Sequence, residues 1–181
     1  MNPEPVFLLI LGSGEIARCL ASLAAHAGYS VSVNDTEVFA HAWPAGCELS
    51  DADYVQQPYA LPSSSHAIIV RGHAGDPTSV ACLLEHDASR VYLIASARRA
   101  QSVIEAVRGK LDNPSLLERL SAPAGLDLGG KASMEIALSI LAEIQLRRYQ
   151  ASGKLLTDLR EVKISSPPEK NDQHECPGKR V

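Results

Sequence analysis

Apolar positions along the chain fall into two alternating patterns, continuous short runs and runs spaced as on one face of a helix. Val6 to Leu11 is continuously apolar, as expected of a strand covered on both faces. Gly12-Ser13-Gly14 interrupts it, and Ile16, Leu20, Leu23 and Ala27 then recur at helical spacing. Gly28 is placed to end that helix in a left-handed turn. Tyr29, Val31 and Val33 alternate as a second strand that stops at Asn34-Asp35. A strand, a glycine turn, a helix and a strand in this order form a βαβ unit, whose right-handed crossover makes the strands parallel.

From Thr36 to Ser65 the pattern is broken by Pro44, Pro58, Pro62 and a serine run. One short strand is expected there, near Asp53 to Gln56, and Trp43 is expected to plug the edge of the core. A segment this long inside a domain carries function or hides an element. The rhythm resumes with strands at Ala67–Val70 and Val91–Ile94. Asp76-Pro77 predicts a capped helix burying Val80, Leu83 and Leu84, and a further helix buries Val103, Ile104 and Val107. Asn113-Pro114 starts a short helix through Leu116, Leu117 and Leu120. After a glycine-containing loop from Ala122 to Lys131, Ser133 is expected to cap a long helix that turns Ile136, Ile140, Leu141 and Ile144 inward.

Alternating strands and helices predict an α/β, Rossmann-like domain over residues 1–150, an open, mainly parallel sheet with helices on both faces. Residues 151–181 are expected to be a C-terminal extension, with a short helix within 150–164 and then a mostly flexible tail. His174 and Cys176 in that tail are read as composition, because a structural zinc needs four ligands; no metal site is expected.

Composition narrows the function classes. At 181 residues the chain suits one domain with a sizeable core, and its net charge of −4 argues against a nucleic-acid surface. Val6–Leu11 is too short to span a bilayer and follows Glu4 rather than a basic segment, so neither a membrane span nor a secretory leader is expected. The four cysteines lie far apart, which suits reduced thiols in the cytoplasm.

Gly12-Ser13-Gly14-Glu15-Ile16-Ala17 reads as GxGxxA between a strand and a helix. The first glycine permits the tight turn, the second admits a pyrophosphate to the backbone, and the small Ala17 serves helix–strand packing. Phosphate would rest on N–H groups at the positive end of the helix dipole. Asp35, closing the second strand, is placed to take ribose hydroxyls and would repel a 2′-phosphate, which favours NAD over NADP. The plainer alternative is a Rossmann-like fold that has lost its nucleotide.

Other polar residues follow strand ends, the sheet edge where ligands bind in such folds. Arg71, Gly72 and His73 follow the Ala67–Val70 strand, and Ser96, Arg98 and Arg99 the Val91–Ile94 strand, while Lys131 lies in the glycine-containing loop. His73 is a candidate general acid or base, and arginine forks suit phosphate oxygens. Each has a plainer reading: an exposed loop histidine, a solvated helix start for Arg98 and Arg99, and a helix cap for Asp76.

Read in order, these motifs resemble the C-terminal Rossmann domain of the XdhC/CoxI family of xanthine dehydrogenase accessory factors. The segments that carry the resemblance are Leu11 to Ala17, Arg71 to Asp76, Ile94 to Arg99, Ala122 to Gly129 and Glu135 to Ile144, within residues 6–149. The resemblance implies a non-catalytic maturation factor, or chaperone, for a molybdenum hydroxylase. Such a factor binds the molybdenum cofactor (molybdopterin) or its dinucleotide form, keeps it safe during sulfuration and passes it to the apo-enzyme. The family's glycine and RGH motifs map onto Gly12, Gly14, Arg71, Gly72 and His73, and its GLD segment onto Gly125, Leu126 and Asp127. His73 and Asp127 would then face the reactive end of the cofactor, with Arg98 and Arg99 clamping its phosphate.

The sequence departs from the family pattern at Glu15, where a histidine is usual, and at Ala95-Ser96-Ala97-Arg98-Arg99, which has one basic residue fewer. The family's N-terminal domain is not recognised in the chain, so a separate partner supplying that half is expected. Two other functions remain open, an NAD-dependent oxidoreductase and a nucleotide-sensing interaction module. The helix from Ser133 to Tyr149 and the tail are candidates for self-association as a homodimer.

Overall fold

A computed structural model describes residues 6–62, 64–72, 74–86 and 88–159. The chain divides into two units, Met1–Ala151 and Ser152–Val181, and each is described by itself.

The first unit is built on a six-stranded sheet in which every pairing is parallel. Its strands are β1 (Phe7–Leu11), β2 (Ser30–Asn34), β3 (Glu48–Ser50), β4 (His66–Ile69), β5 (Arg90–Leu93) and β6 (Leu120–Ser121). Their spatial order, β3-β2-β1-β4-β5-β6, is that of a Rossmann-type sheet. The helices are α1 (Glu15–His26), α2 (Asp76–Glu85), α3 (Ala97–Arg108) and α4 (Ser133–Arg148).

The continuous apolar run of β1 has a direct cause. Side chains alternate across a strand, so Leu8 and Ile10 join one core with Leu20, Ala24, Ile140 and Ile144 of α1 and α4. Leu9 and Leu11 join the other, with Val80, Leu84, Val103 and Val107 of α2 and α3. Both layers are needed, and neither face of the central strands meets water.

The broken segment after β2 differs from the sequence expectation. The edge strand lies at Glu48–Ser50, paired with Ser32 to Asn34, while Asp53 to Gln56 is a turn closed by Gln56 N–H donating to Asp53 O at 3.0 Å. Tyr54 explains the turn. Its side chain is wholly buried in the α2–α3 core, and its hydroxyl donates to Tyr59 O at 3.1 Å. Trp43 packs against the other core as expected, with its indole N–H donating to Val38 O at 2.7 Å.

Two helix starts also differ. Asp76 is the first residue of α2, with Gly75 at the cap position, and its carboxylate is buried and paired with Arg99 of α3 at 2.6 Å. Ser133 likewise lies inside α4. The Glu135 carboxylate caps that helix from within, accepting the N–H groups of Lys131 and Ala132 at 2.9 Å each. Asn113 does cap its element, a 3₁₀ segment over Pro114–Arg119.

In the second unit the described part holds one short helix, α5 (Leu156–Leu159). The tail expected from Ser165, with His174 and Cys176, lies outside the described residues. Among the described residues no helix is long and apolar enough to cross a membrane.

Candidate active cleft at the glycine turn

Where β1 ends, Gly12 adopts a φ of +127°, which side-chain-bearing residues rarely take. Its N–H donates to Asn34 O at 3.1 Å, tying the turn to the end of β2. A Cβ at Gly12 would stand 3.3 Å from Arg71 N, so the missing side chain lets the turn pack on the segment leaving β4. Gly14 occupies the cap position of α1 and supplies no side-chain cap. The first turn of any α-helix has N–H groups without an intrahelical acceptor, and here an anion would serve them. A Cβ on Gly14 would meet nothing within 4 Å, so the backbone is open on that side.

Two adjoining clefts flank this turn and share Asp35 and Arg71. One, of about 270 Å³, is lined by Gly12, Ser13, Gly14, Asp35 and Arg71 among others. The second, of about 290 Å³, also takes in Asn34, Ala52 and Asp53. One oxygen of Asp35 is held in place, accepting the Ser13 hydroxyl at 3.0 Å and the Glu37 N–H at 2.9 Å. Arg71 is fixed by its Nη2 donating to Asn34 Oδ1 at 3.3 Å and by the Asp53 carboxylate 4.0 Å from its Nη1. Asn34 accepts the Tyr54 N–H at 3.2 Å on the same oxygen and gives its amide to Ala52 O, so the buried tyrosine and the cleft arginine share one support. Across the first cleft, His41 Nδ1 lies 3.3 Å from Arg18 Nη1.

The other residues read from the sequence are distributed around this edge. Glu15 leans toward α4, where its carboxylate accepts the Ser133 hydroxyl at 2.9 Å. Ile16 is half-buried in α1. Ser96 caps α3, accepting the Arg99 N–H at 3.3 Å, and Arg98 is exposed in the first turn of that helix. Arg99 is engaged by the buried Asp76 rather than standing free for a ligand. Gly72 is exposed beside His73, and His73 lies outside the described residues. Asp127 is exposed, with its own carboxylate accepting the Gly129 N–H at 3.3 Å, and Lys131 is exposed too.

A supporting residue not singled out in the sequence is Glu143. Although nearly buried, it accepts the Gly125 N–H at 2.7 Å and Arg147 Nε at 2.8 Å. Burial alone would raise its pKa, but the Gly125 N–H and the Arg147 guanidinium outweigh it and hold the carboxyl below the usual range. Gly125 itself has a φ of +106°, and a Cβ there would come 2.5 Å from Ser139 Oγ. The loop carrying Gly125, Leu126 and Asp127 is therefore seated on α4. A glutamate midway along an otherwise apolar helix face was the available sequence signal. Among the described residues no three His, Cys, Asp or Glu side chains gather as a metal site.

Comparison with known proteins places this geometry in context. Residues 8–144 match the family model of the XdhC Rossmann domain. The uncharacterized protein YqeB of Escherichia coli is 27% identical over 162 residues, which cover 82% of this chain and 28% of YqeB. A crystal structure from Bacillus halodurans, described as a xanthine dehydrogenase, has a TM-score of 0.64 at 22% identity and shares the fold. That likeness covers 82% of this chain and 47% of the other. The chain thus spans less than two thirds of the length of either.

Proposed function

The chain belongs to the XdhC Rossmann-domain family, and from that premise we propose that it is an accessory protein in the maturation of a molybdenum hydroxylase of the xanthine dehydrogenase type. Its part is to bind the phosphate of the molybdenum cofactor, or of that cofactor's dinucleotide form, at the glycine turn. It then yields the cofactor to the apo-enzyme. The observation that carries the binding step is the open backbone at Gly14, beside a cleft in which Asp35 and Arg71 are both held by hydrogen bonds.

The donor set suits the ligand's polar end. The N–H groups at the start of α1 serve phosphate, Arg71 adds a positive charge, and Asp35 keeps an oxygen available for hydroxyl groups. The bound cofactor supplies the molybdenum chemistry, and the residues of this chain bind and orient it. Glu15, turned to Ser133, is drawn off from the phosphate position by its hydrogen bond.

Purification without oxygen from a cofactor-producing host, with molybdenum and oxidised pterin fluorescence measured per chain, tests this reading. Near-stoichiometric values that disappear in Gly14→Val are expected. A chain that retains neither under rapid handling at low salt overturns it.

The fixed Asp35 favours a second reading, a cytoplasmic nucleotide-binding module or an NAD-dependent oxidoreductase using the same cleft. Calorimetric titration with NAD, followed by an assay of NADH absorbance with small carbonyl compounds, separates binding alone from turnover.

A further inference from the structure

At the opposite end of the sheet from the glycine turn, β4 and β5 begin side by side, with His66 in register with Arg90. The end of α4 reaches the same edge. His66, Arg90, Arg147, Arg148 and Gln150 line one cleft there, of about 500 Å³, larger than either cleft at the turn. Three arginines line it in a chain whose net charge is −4.

Their surroundings leave positive charge uncompensated. Arg147 is matched by Glu143 at 2.8 Å. Arg90 donates to the carbonyl of Glu118 at 3.2 Å, which is a neutral acceptor. Arg148 rests against aromatic faces, its guanidinium carbon 5.7 Å from the centre of the Tyr29 ring and 5.2 Å from that of Tyr149. Among the described residues neither Arg90 nor Arg148 has a carboxylate within ion-pair distance.

Cations in the last turn of a helix complement its dipole, but that account falls short here. Arg90 comes from a strand rather than from α4. The closing carbonyls of α4 are also already taken: Gln145 O by Tyr149 N–H at 3.1 Å, Leu146 O by Ala151 N–H at 2.9 Å, and Arg147 O by Gln150 N–H at 3.3 Å. The guanidinium groups are thus not needed to satisfy the helix end.

We propose that this cleft at the amino edge of the sheet is a second binding site, for a small oxyanion held between the Arg90 and Arg148 guanidinium groups with the Gln150 amide at its rim. Guanidinium forks match the paired oxygens of phosphate and carboxylate alike. The site lies at the far end of the strands from the glycine turn, so it does not depend on the function assigned to that turn.

His66 is a built-in reporter. The charged and titratable groups facing it are Arg90 and Tyr92 from β5 and Arg148 from α4, with the Tyr92 hydroxyl 3.5 Å from its Nδ1. Burial first, and then Arg90 and Arg148, hold its pKa down at about 4. An anion bound to those arginines offsets their charge and moves the His66 titration back toward neutral pH.

The test follows the imidazole resonance of His66 in the full chain across the acid range. Inorganic phosphate is titrated in one series and succinate in another, with ionic strength held constant by chloride. A saturable rise in the His66 pKa is expected, with apparent affinity falling about tenfold in Arg148→Gln, less in Arg148→Lys, and unchanged in Gly14→Val. Saturation by phosphate alone assigns a phosphate-bearing ligand, and saturation by succinate alone a carboxylate. Arg148 covers the buried Tyr29 as well as the exposed Tyr149, so thermal melts of both Arg148 variants are taken alongside, and Arg148→Lys, which keeps the aliphatic stem and the charge, separates lost packing from lost anion binding. A His66 titration that neither anion moves, or equal affinity in Arg148→Gln, overturns the proposal.

Discussion

The Ser13 hydroxyl donates to the Asp35 carboxylate at 3.0 Å, so the glycine turn and the end of β2 are joined through a side chain that also faces the cleft. With the Glu37 N–H on the same oxygen, Asp35 is fixed without being consumed. Replacing Asp35 by Ala is expected to weaken nucleotide binding by about tenfold to a hundredfold, measured by calorimetry with NAD as the probe. Ser13→Ala loosens the same carboxylate and should cost less. Equal binding in wild type and Asp35→Ala would remove the aspartate from the site.

The two glycines of the turn make separable predictions. Gly14→Val should lose only the modest stability by which glycine outranks valine at a helix cap, because its Cβ enters open space, while losing the bound ligand. Gly12→Ala should lose about 1–2 kcal/mol of stability as well, from the φ of +127° and the approach to Arg71 N. Thermal melts of both variants decide the matter, and equal destabilisation by the two would contradict it.

Removing the Glu143 carboxylate should unseat the loop above it. Glu143→Leu leaves the Gly125 N–H without its acceptor and Arg147 without its partner, a loss of about 2 kcal/mol. Glu143→Gln keeps an acceptor for Gly125 and should recover much of that. Denaturant unfolding measures the stability, and limited proteolysis between Ala122 and Lys131 reports the loop.

His66 gives the protein an acid sensitivity with a defined sign. Its pKa is about 4 in the folded chain against an ordinary 6.5, so between these values the unfolded state binds more protons. Stability should therefore fall as the pH drops from about 6.5 to about 4, by at most about 3 kcal/mol from this residue. Glu143 adds to the loss at lower pH, since its carboxyl titrates below the usual range when folded. Unfolding curves across this window should be flatter for His66→Gln than for the wild type. An unchanged slope would mean that the histidine is solvated.

Much of the fold is legible in the sequence because the two periodicities are clean. The β1 run, the glycine turn and the α1 spacing each point to the same βαβ unit, and the parallel sheet follows from repetition. The segment between β2 and β4 is not legible in the same way. Its organising residue is Tyr54, a single aromatic buried by tertiary contacts with elements distant in sequence, and no period marks it. The helix starts at Asp76 and Ser133 mislead for a related reason. Both residue types suit a cap, but here a long-range partner, Arg99 in one case and Glu15 in the other, takes the side chain. Gly12, Gly14, Asp35 and Arg71 line one cleft, and each is legible from the strand ends and turns that place it. Asn34 and Glu143 are not, since they act by holding other residues in place.

The sheet closes on both sides with very short strands, three residues in β3 and two in β6. An edge strand invites another chain to pair with its unused backbone groups, and the invitation grows with the length of the ladder offered. Here each rim presents too little ladder for a foreign strand to zip onto, and β3 adds the charge of an exposed Glu48. Among the described residues the sheet thus offers little edge for open-ended stacking of one copy on another.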